Sequence, residues 1–283
     1  MLKSLFWRVN FFFKYRKSQW IKKRLTGDES KLTVESKNGI FVTDPADLEV
    51  GAKLRTKGEY GTEEIARLSQ LIDNNSSILI VGAHIGALAI PLAKQCLQVI
   101  AIEANPNNFE LLQTNIKLNK LTNITAHNIA ASTKSETIQF QLNTVNSGGS
   151  KRVPVNNHYM YTYDNPKVID VDAYSLDEYL DHDEFDLVLI DIEGSEYFAM
   201  EGMSNILSKA KNLVVEFLPH HITNVAGVGL SDFLGNIPKQ FTKVTIPSKK
   251  STHPIDVGII TLSQMFDSGQ GDDGIIFHNF MHR

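Results

Sequence analysis

The chain has 283 residues, 42% hydrophobic and 21% charged, enough to bury a full core, with no stretch near the roughly 18 apolar residues of a membrane span. A single cysteine, Cys96, excludes an intramolecular disulfide and fits a reducing, cytoplasmic setting. The net charge of −4 conceals an asymmetry that argues against a nucleic-acid partner: residues 1–25 carry eight Lys or Arg and no acid, leaving 20 bases and 32 acids, net −12, elsewhere.

The spacing divides the chain into residues 1–30, 31–59 and 60–283. In the first, Leu2, Phe6, Val9, Phe13 and Trp20 recur at helical spacing with Lys and Arg between them, which predicts a basic amphipathic helix. Two readings stay open for it: a peripheral anchor on the cytoplasmic face of a membrane, or a helix packed on the body or on a second copy of the chain. In the second, "KLTVESKNGIFVT" predicts a hairpin lead-in turning at Asn38-Gly39. "TEEIARLSQLI" (62–72) follows as a helix capped by Thr62.

From residue 76 onward apolar strands alternate with helices. The strand runs are 76–81, 98–103, 123–130, 185–192, 212–218, 241–247 and 274–280. Such alternation predicts a Rossmann-like α/β domain, a mostly parallel seven-stranded sheet with helices on both faces. The first crossover helix is expected over 86–96, with a kink at Pro91. The next, 105–119, has Asn105 as its cap and Pro106 in its first turn.

In an open parallel sheet the turn after the first strand is a usual ligand site. A nicotinamide fingerprint needs glycines at 82, 84 and 87, but His84 and Ala87 stand at two of them. Gly82-x-x-x-Gly86 suits a cofactor without a pyrophosphate. Glu103 ends the second strand, where a carboxylate can accept both hydroxyls of a ribose. Ribose without pyrophosphate points to S-adenosylmethionine.

The segments "VGAHIG", "IAIEANPNNFELLQTNIKLN", "HNIAAS", "DLVLIDIEGSE" and "NLVVEF" occur in an order and spacing that resemble the FkbM-type methyltransferases. These are class I S-adenosylmethionine-dependent enzymes, many of which methylate hydroxyls of sugars and other natural products. The resemblance implies that Gly82, Ala83, His84 and Gly86 wrap the methionine part of the cofactor. It implies Glu103 at the ribose, Ala104 and Asn105 beside the adenine, Asn128 and Ala130 flanking its ring, and Tyr60 and Glu63 closing over it. Two positions depart from the family: Ile80 replaces a usual Asp, and His84 a common Asn.

"LIDIEGSE" places Asp191, Glu193 and Glu196 just beyond a strand. Methyl transfer from a sulfonium needs in-line positioning of the acceptor and often a base for its proton. Asp191 is read as the methyl-donor edge, Glu193 as a base, and Glu196 as a helix-start acid. "VVEFLPHH" adds Glu216, His220 and His221, with His220 as a second candidate base. No tight ligand spacing supports a metal, so none is expected. Residues 143–167, rich in Asn, Gly and Tyr, read as a lid; Tyr159, Tyr161 and Tyr163 either stack on an acceptor or line one face of a strand. The reading reached is an O-methyltransferase acting on a hydroxyl of a sugar, glycan or related natural product. A catalytically weakened binding or scaffold protein of the same fold is the alternative that Ile80 and His84 leave open.

Overall fold

The structure, a computed structural model, describes residues 2–24 and 31–279, and side chains from Trp7 onward. Leu2 and Phe6 of the predicted apolar stripe, and Phe280 at the end of the last predicted strand, fall outside the described side chains. In chain order a hairpin comes first, β1 (Leu32–Ser36) and β2 (Gly39–Thr43), then β3 (Ser77–Val81), β4 (Gln98–Ile102) and β5 (Ile124–His127). An insert follows with β6 (Ala130–Ala131), β7 (Glu136–Leu142), β8 (Lys151–Arg152) and β9 (Lys167–Tyr174). The chain then supplies β10 (Leu187–Ile190), β11 (Asn212–Phe217), β12 (Lys243–Ile246), β13 (Ser251–Pro254) and β14 (Asp272–His278).

The main sheet has the order β5-β4-β3-β10-β11-β14-β12-β13. Its pairs from β5 to β11 are parallel, and β14 runs antiparallel to both β11 and β12. This is the predicted Rossmann-like α/β sheet with one strand more than expected: β13, a short edge strand that the polar run "STHP" does not announce. Residues of β3 alternate between two apolar layers. Leu79 and Val81 pack with Met200, Leu207 and Leu262 on one face, and Ile78 and Ile80 with Leu92, Leu112 and Ile116 on the other. Both faces being covered explains why the central strands read as unbroken apolar runs.

Two local expectations are corrected. The first crossover helix spans only Ala89–Ala93. Pro91 therefore lies in its first turn, where no intrahelical N–H bond is required, and no kink arises. Residues 143–167 are not irregular throughout: they carry the turn Ser147–Gly149, β8 and the helix Tyr159–Thr162, while the flanking β7 and β9 join β6 and β8 in a second sheet of order β6-β9-β7-β8. Nor do the three tyrosines line a strand. Tyr159–Thr162 is a short helix with Tyr161 buried, and Tyr163 stacks on Phe11 at 4.4 Å.

The hairpin is fixed to the body by side-chain amides. Asn115 and Asn119 lie four residues apart, at the end of helix Pro106–Leu118, which sets them side by side. Asn115 Oδ1 accepts from Val42 N–H at 2.6 Å, and its Nδ2 donates to the Ile85 carbonyl at 2.9 Å. Asn119 accepts from Ile40 N–H and donates to the Ile40 carbonyl. Two amides thus serve the free edge of β2 as a neighbouring strand would. At the turn, Asn38 donates to the carbonyls of Tyr60 and Ala87, tying the hairpin to the segment after the glycine turn.

Asn115→Ala would leave the half-buried Val42 N–H and the buried Ile85 C=O unpaired. We expect a loss of about 2–4 kcal/mol, read as a melting temperature roughly 5–12 °C lower. An unchanged midpoint would show that the amide edge contributes nothing.

Candidate functional site

The sheet order reverses between β3 and β10, and two connected clefts open beyond their carboxyl ends. Gly82, immediately after β3, has φ +96°, and a Cβ built there would collide with the Asp191 carbonyl oxygen just past β10. Only glycine fits, for its backbone angle and for the contact. His84 (φ +50°) and Gly86 (φ +91°) complete the turn.

Glu103, at the end of β4, organises this turn. One carboxylate oxygen accepts from His84 N–H at 2.7 Å, the other from Asn105 N–H at 2.9 Å. It also lines the first cleft, about 530 Å³, with Gly82, His84, Ala104, Asn108, Ala130 and Asp191. Burial pushes the carboxyl up to about 7, opposed by the two backbone donors that favour its charged form. The cleft's apolar side, Ile102, Ala104, Ile129 and Phe140, suits a flat base. Ser195 Oγ lines the same space, buried and without a hydrogen-bond partner among the described residues. A diol acceptor, a flat apolar slot and an unspent hydroxyl fit the adenosine of S-adenosylmethionine.

Of the other expected cofactor residues, Ala83 and Tyr60 line the second cleft, about 780 Å³, together with Glu49, Lys53, Asp191 and Glu193. Asn105 caps the next helix through its side chain, and Asn128 donates to the Glu103 carbonyl at 2.8 Å, bracing the main chain beside the cleft. Glu63 is exposed and lies outside both clefts; its neighbour Glu64 is the one turned inward, pushed up to about 7 by burial. Ile80 is buried beneath the turn and lines the second cleft, in which Asp191 and Glu193 supply carboxylates. His84, where an amide is common, uses its ring to hold the insert: Nε2 lies 2.7 Å from Ser147 Oγ, which donates to Asp47 at 2.6 Å.

The acids past β10 separate by role. Glu196 accepts from Ile192 and Gly194 N–H and so pins its own turn. Desolvation, with Glu193 next, holds Asp191 well above the usual carboxylate range. Glu193 adopts φ +58° and receives Lys151 Nζ at 3.1 Å. Behind it His221 Nε2 lies 3.6 Å from the same carboxylate oxygen, and His221 Nδ1 lies 3.2 Å from Glu216. Burial, then Lys151 and His220, pushes His221 down to about 2, and burial raises Glu216, so the imidazole of this pair is neutral. His220 points elsewhere: its ring and carbonyl both meet the Tyr161 hydroxyl at 3.0 Å. Glu193, Glu216 and His221 also stand close enough together to ligate a cation, but the Lys151 ammonium already occupies the Glu193 side of the group.

Sequence reading did not single out Asp47 or Ser147, and gave Lys151 no role. Asp47 and Ser147 reach the site from segments between strands and Lys151 from β8, all far away in the chain, and no local pattern marks them.

A family described as the methyltransferase FkbM domain matches residues 81–243, more than half of the chain. A probable ribosomal RNA small subunit methyltransferase A of Methanosphaera stadtmanae is 47% identical over 53 residues, 19% of this chain and 20% of that protein. The chain thus spans about a fifth of the curated relative's length. Among solved structures, TYW2 of M. jannaschii in complex with AdoMet is 19% identical, with TM-score 0.39, over 68% of this chain and 64% of that one. TYW2 of P. horikoshii in complex with MeSAdo is 16% identical, with TM-score 0.44, over 78% and 64%.

A carboxyl raised on folding holds its proton more tightly in the folded chain. Glu103 therefore lowers stability as pH climbs from its ordinary 4.5 through about 7, by on the order of 3 kcal/mol. The cofactor-free Glu103→Gln protein should lose less melting temperature between pH 5 and pH 8 than the parent. Equal losses would mean that this carboxyl is not the group that titrates.

Proposed function

The chain belongs to the FkbM family of S-adenosylmethionine-dependent methyltransferases, and from this we propose that it methylates a hydroxyl of a sugar, glycan or related natural product. The observation that supports the hydroxyl is the proton-handling group beside Asp191: Glu193 at the cleft, paired with Lys151 and backed by His221 and Glu216. A neutral amine or ring nitrogen is nucleophilic as it stands, whereas an alcohol oxygen is a weak nucleophile that gains most from losing its proton as the bond forms. The strong negative charge outside residues 1–25 supports a small polar acceptor over RNA.

When bound, S-adenosylmethionine supplies a methyl group already activated on a sulfonium. Glu103 would hold the ribose hydroxyls, and Ala104, Ile129 and Ala130 would line the adenine. The main chain of Gly82, Ala83 and His84 lies along the methionine part. Asp191 borders both clefts and marks the junction at which donor and acceptor meet. Glu193 takes the hydroxyl proton, held in place by the Lys151 ammonium. His221, kept neutral, stands behind that carboxylate as a polar neighbour without accepting the proton, and Glu216 fixes its ring orientation. His220, engaged by Tyr161, is left out of this sequence.

The acceptor is sought with methyl-tritiated S-adenosylmethionine and a panel of mono- and oligosaccharides, alongside amines and RNA. Label in an alkali-stable sugar ether supports the reading; label confined to RNA or amines overturns it. With the labelled sugar as substrate, Glu193→Gln should lower turnover about 10²–10⁴-fold. Its affinity for the cofactor in calorimetry should stay within about threefold, since less than 1 kcal/mol of cofactor contact is altered. Equal loss of both would make Glu193 a cofactor ligand instead of a base.

A further inference from the structure

Helix Leu2–Arg24 packs on the body through one face. Ser18 is fully buried and donates to the Ala46 carbonyl at 3.0 Å, Phe11 stacks on Tyr163, and Lys14 pairs with Glu49 at 2.5 Å. Those contacts use the side opposite the apolar stripe seen in the sequence. Val9, Phe13 and Trp20 point away from the body at 46%, 64% and 60% exposure, with Phe12 beside them at 53%. A helix held down by Ser18, Lys14 and the single ring of Phe11, while Val9, Phe12, Phe13 and Trp20 face outward, is inverted relative to an ordinary surface helix.

The exposed bases Arg16, Lys17, Lys23 and Arg24 accompany these rings, and residues 1–25 contain no acid. We propose that this outward face binds an anionic lipid surface, with the rings at the headgroup level and the bases on lipid phosphates. Charge complementarity selects this occupant. A second copy docked by the same face about a two-fold axis would set Arg16, Lys17, Lys23 and Arg24 against their own counterparts. An anionic bilayer offers opposite charge and an apolar layer together. Glu49, which anchors the helix through Lys14, also lines the second cleft, so a docked helix holds the cleft rim close to the lipid. The proposal goes beyond methyl transfer and stands without it.

Both tryptophans of the chain, Trp7 and Trp20, are on this helix, so selectively excited tryptophan emission reports on it alone. The full chain should float with vesicles of phosphatidylcholine mixed with phosphatidylglycerol, and its emission should move to shorter wavelength. With phosphatidylcholine alone, binding should be at least tenfold weaker. Arg16→Gln with Lys17→Gln should lower binding to the mixed vesicles by about fivefold per charge. Phe13→Ser with Trp20→Ser should lower it by more than tenfold. Because these side chains are exposed, melting temperatures should match the parent. The proposal is overturned by no flotation and no emission shift with the anionic vesicles, or by equal binding to both vesicle types. A dimer in light scattering that dissolves on Phe13→Ser with Trp20→Ser also overturns it, since the face would then belong to a second copy.

Discussion

The site rests on the closeness of two strand ends. Where β3 stops, the Gly82 backbone lies against the Asp191 carbonyl with no room for a Cβ. That contact brings a turn rich in main-chain N–H groups, a carboxylate from β4 and the acids beyond β10 around one space. Glu103 then acts as a clamp on the turn. With one oxygen on His84 N–H and the other on Asn105 N–H, it fixes the angle between the turn and the next helix. A single buried side chain spans three elements, and its remaining lone pairs face the cleft.

Carboxylates are gathered here at considerable electrostatic cost. Asp191, Glu193, Glu196 and Glu216 lie within one neighbourhood, and desolvation, then their mutual repulsion, raises three of them. The fold disposes of each charge differently. Glu196 is absorbed by two backbone N–H groups, Glu193 by Lys151, and Glu216 shares a proton with a neutral His221. Among the described residues Asp191 is the one without such a partner, and it borders both clefts. A positively charged sulfonium ligand suits that surplus of negative charge.

How much of this was legible in the sequence depended on distance along the chain. The central strands were readable because they are buried on both faces and so carry uninterrupted apolar runs such as "SILIV" and "LVLI". Strands β7 and β9 were missed because "ETIQFQL" and "KVIDVDAY" cover only one face and carry a charge or amide at every other position or so. Gly82, Glu103 and Asp191 were visible because each stands one residue beyond an apolar strand. Asp47 and Ser147 were not, since each acts across about a hundred residues or more than sixty: Ser147 donates to Asp47, and His84 reaches Ser147. The choice between His220 and His221 was also hidden, because adjacent residues on a helical turn point in divergent directions and only packing decides which faces the acids.

The insert has one further property. It leaves the main sheet at β6 and returns along β9, and these two strands pair directly, Ala130 beside Ala173 and Ala131 beside Tyr174. Departure and return are thus stapled together at the root, and lengthening what lies between costs only a slowly growing closure entropy. The segment is built like a tool head on a fixed handle: chain can be added between residues 132 and 172, away from Phe140, Ser147 and Lys151 at the clefts, without disturbing the sheet beneath.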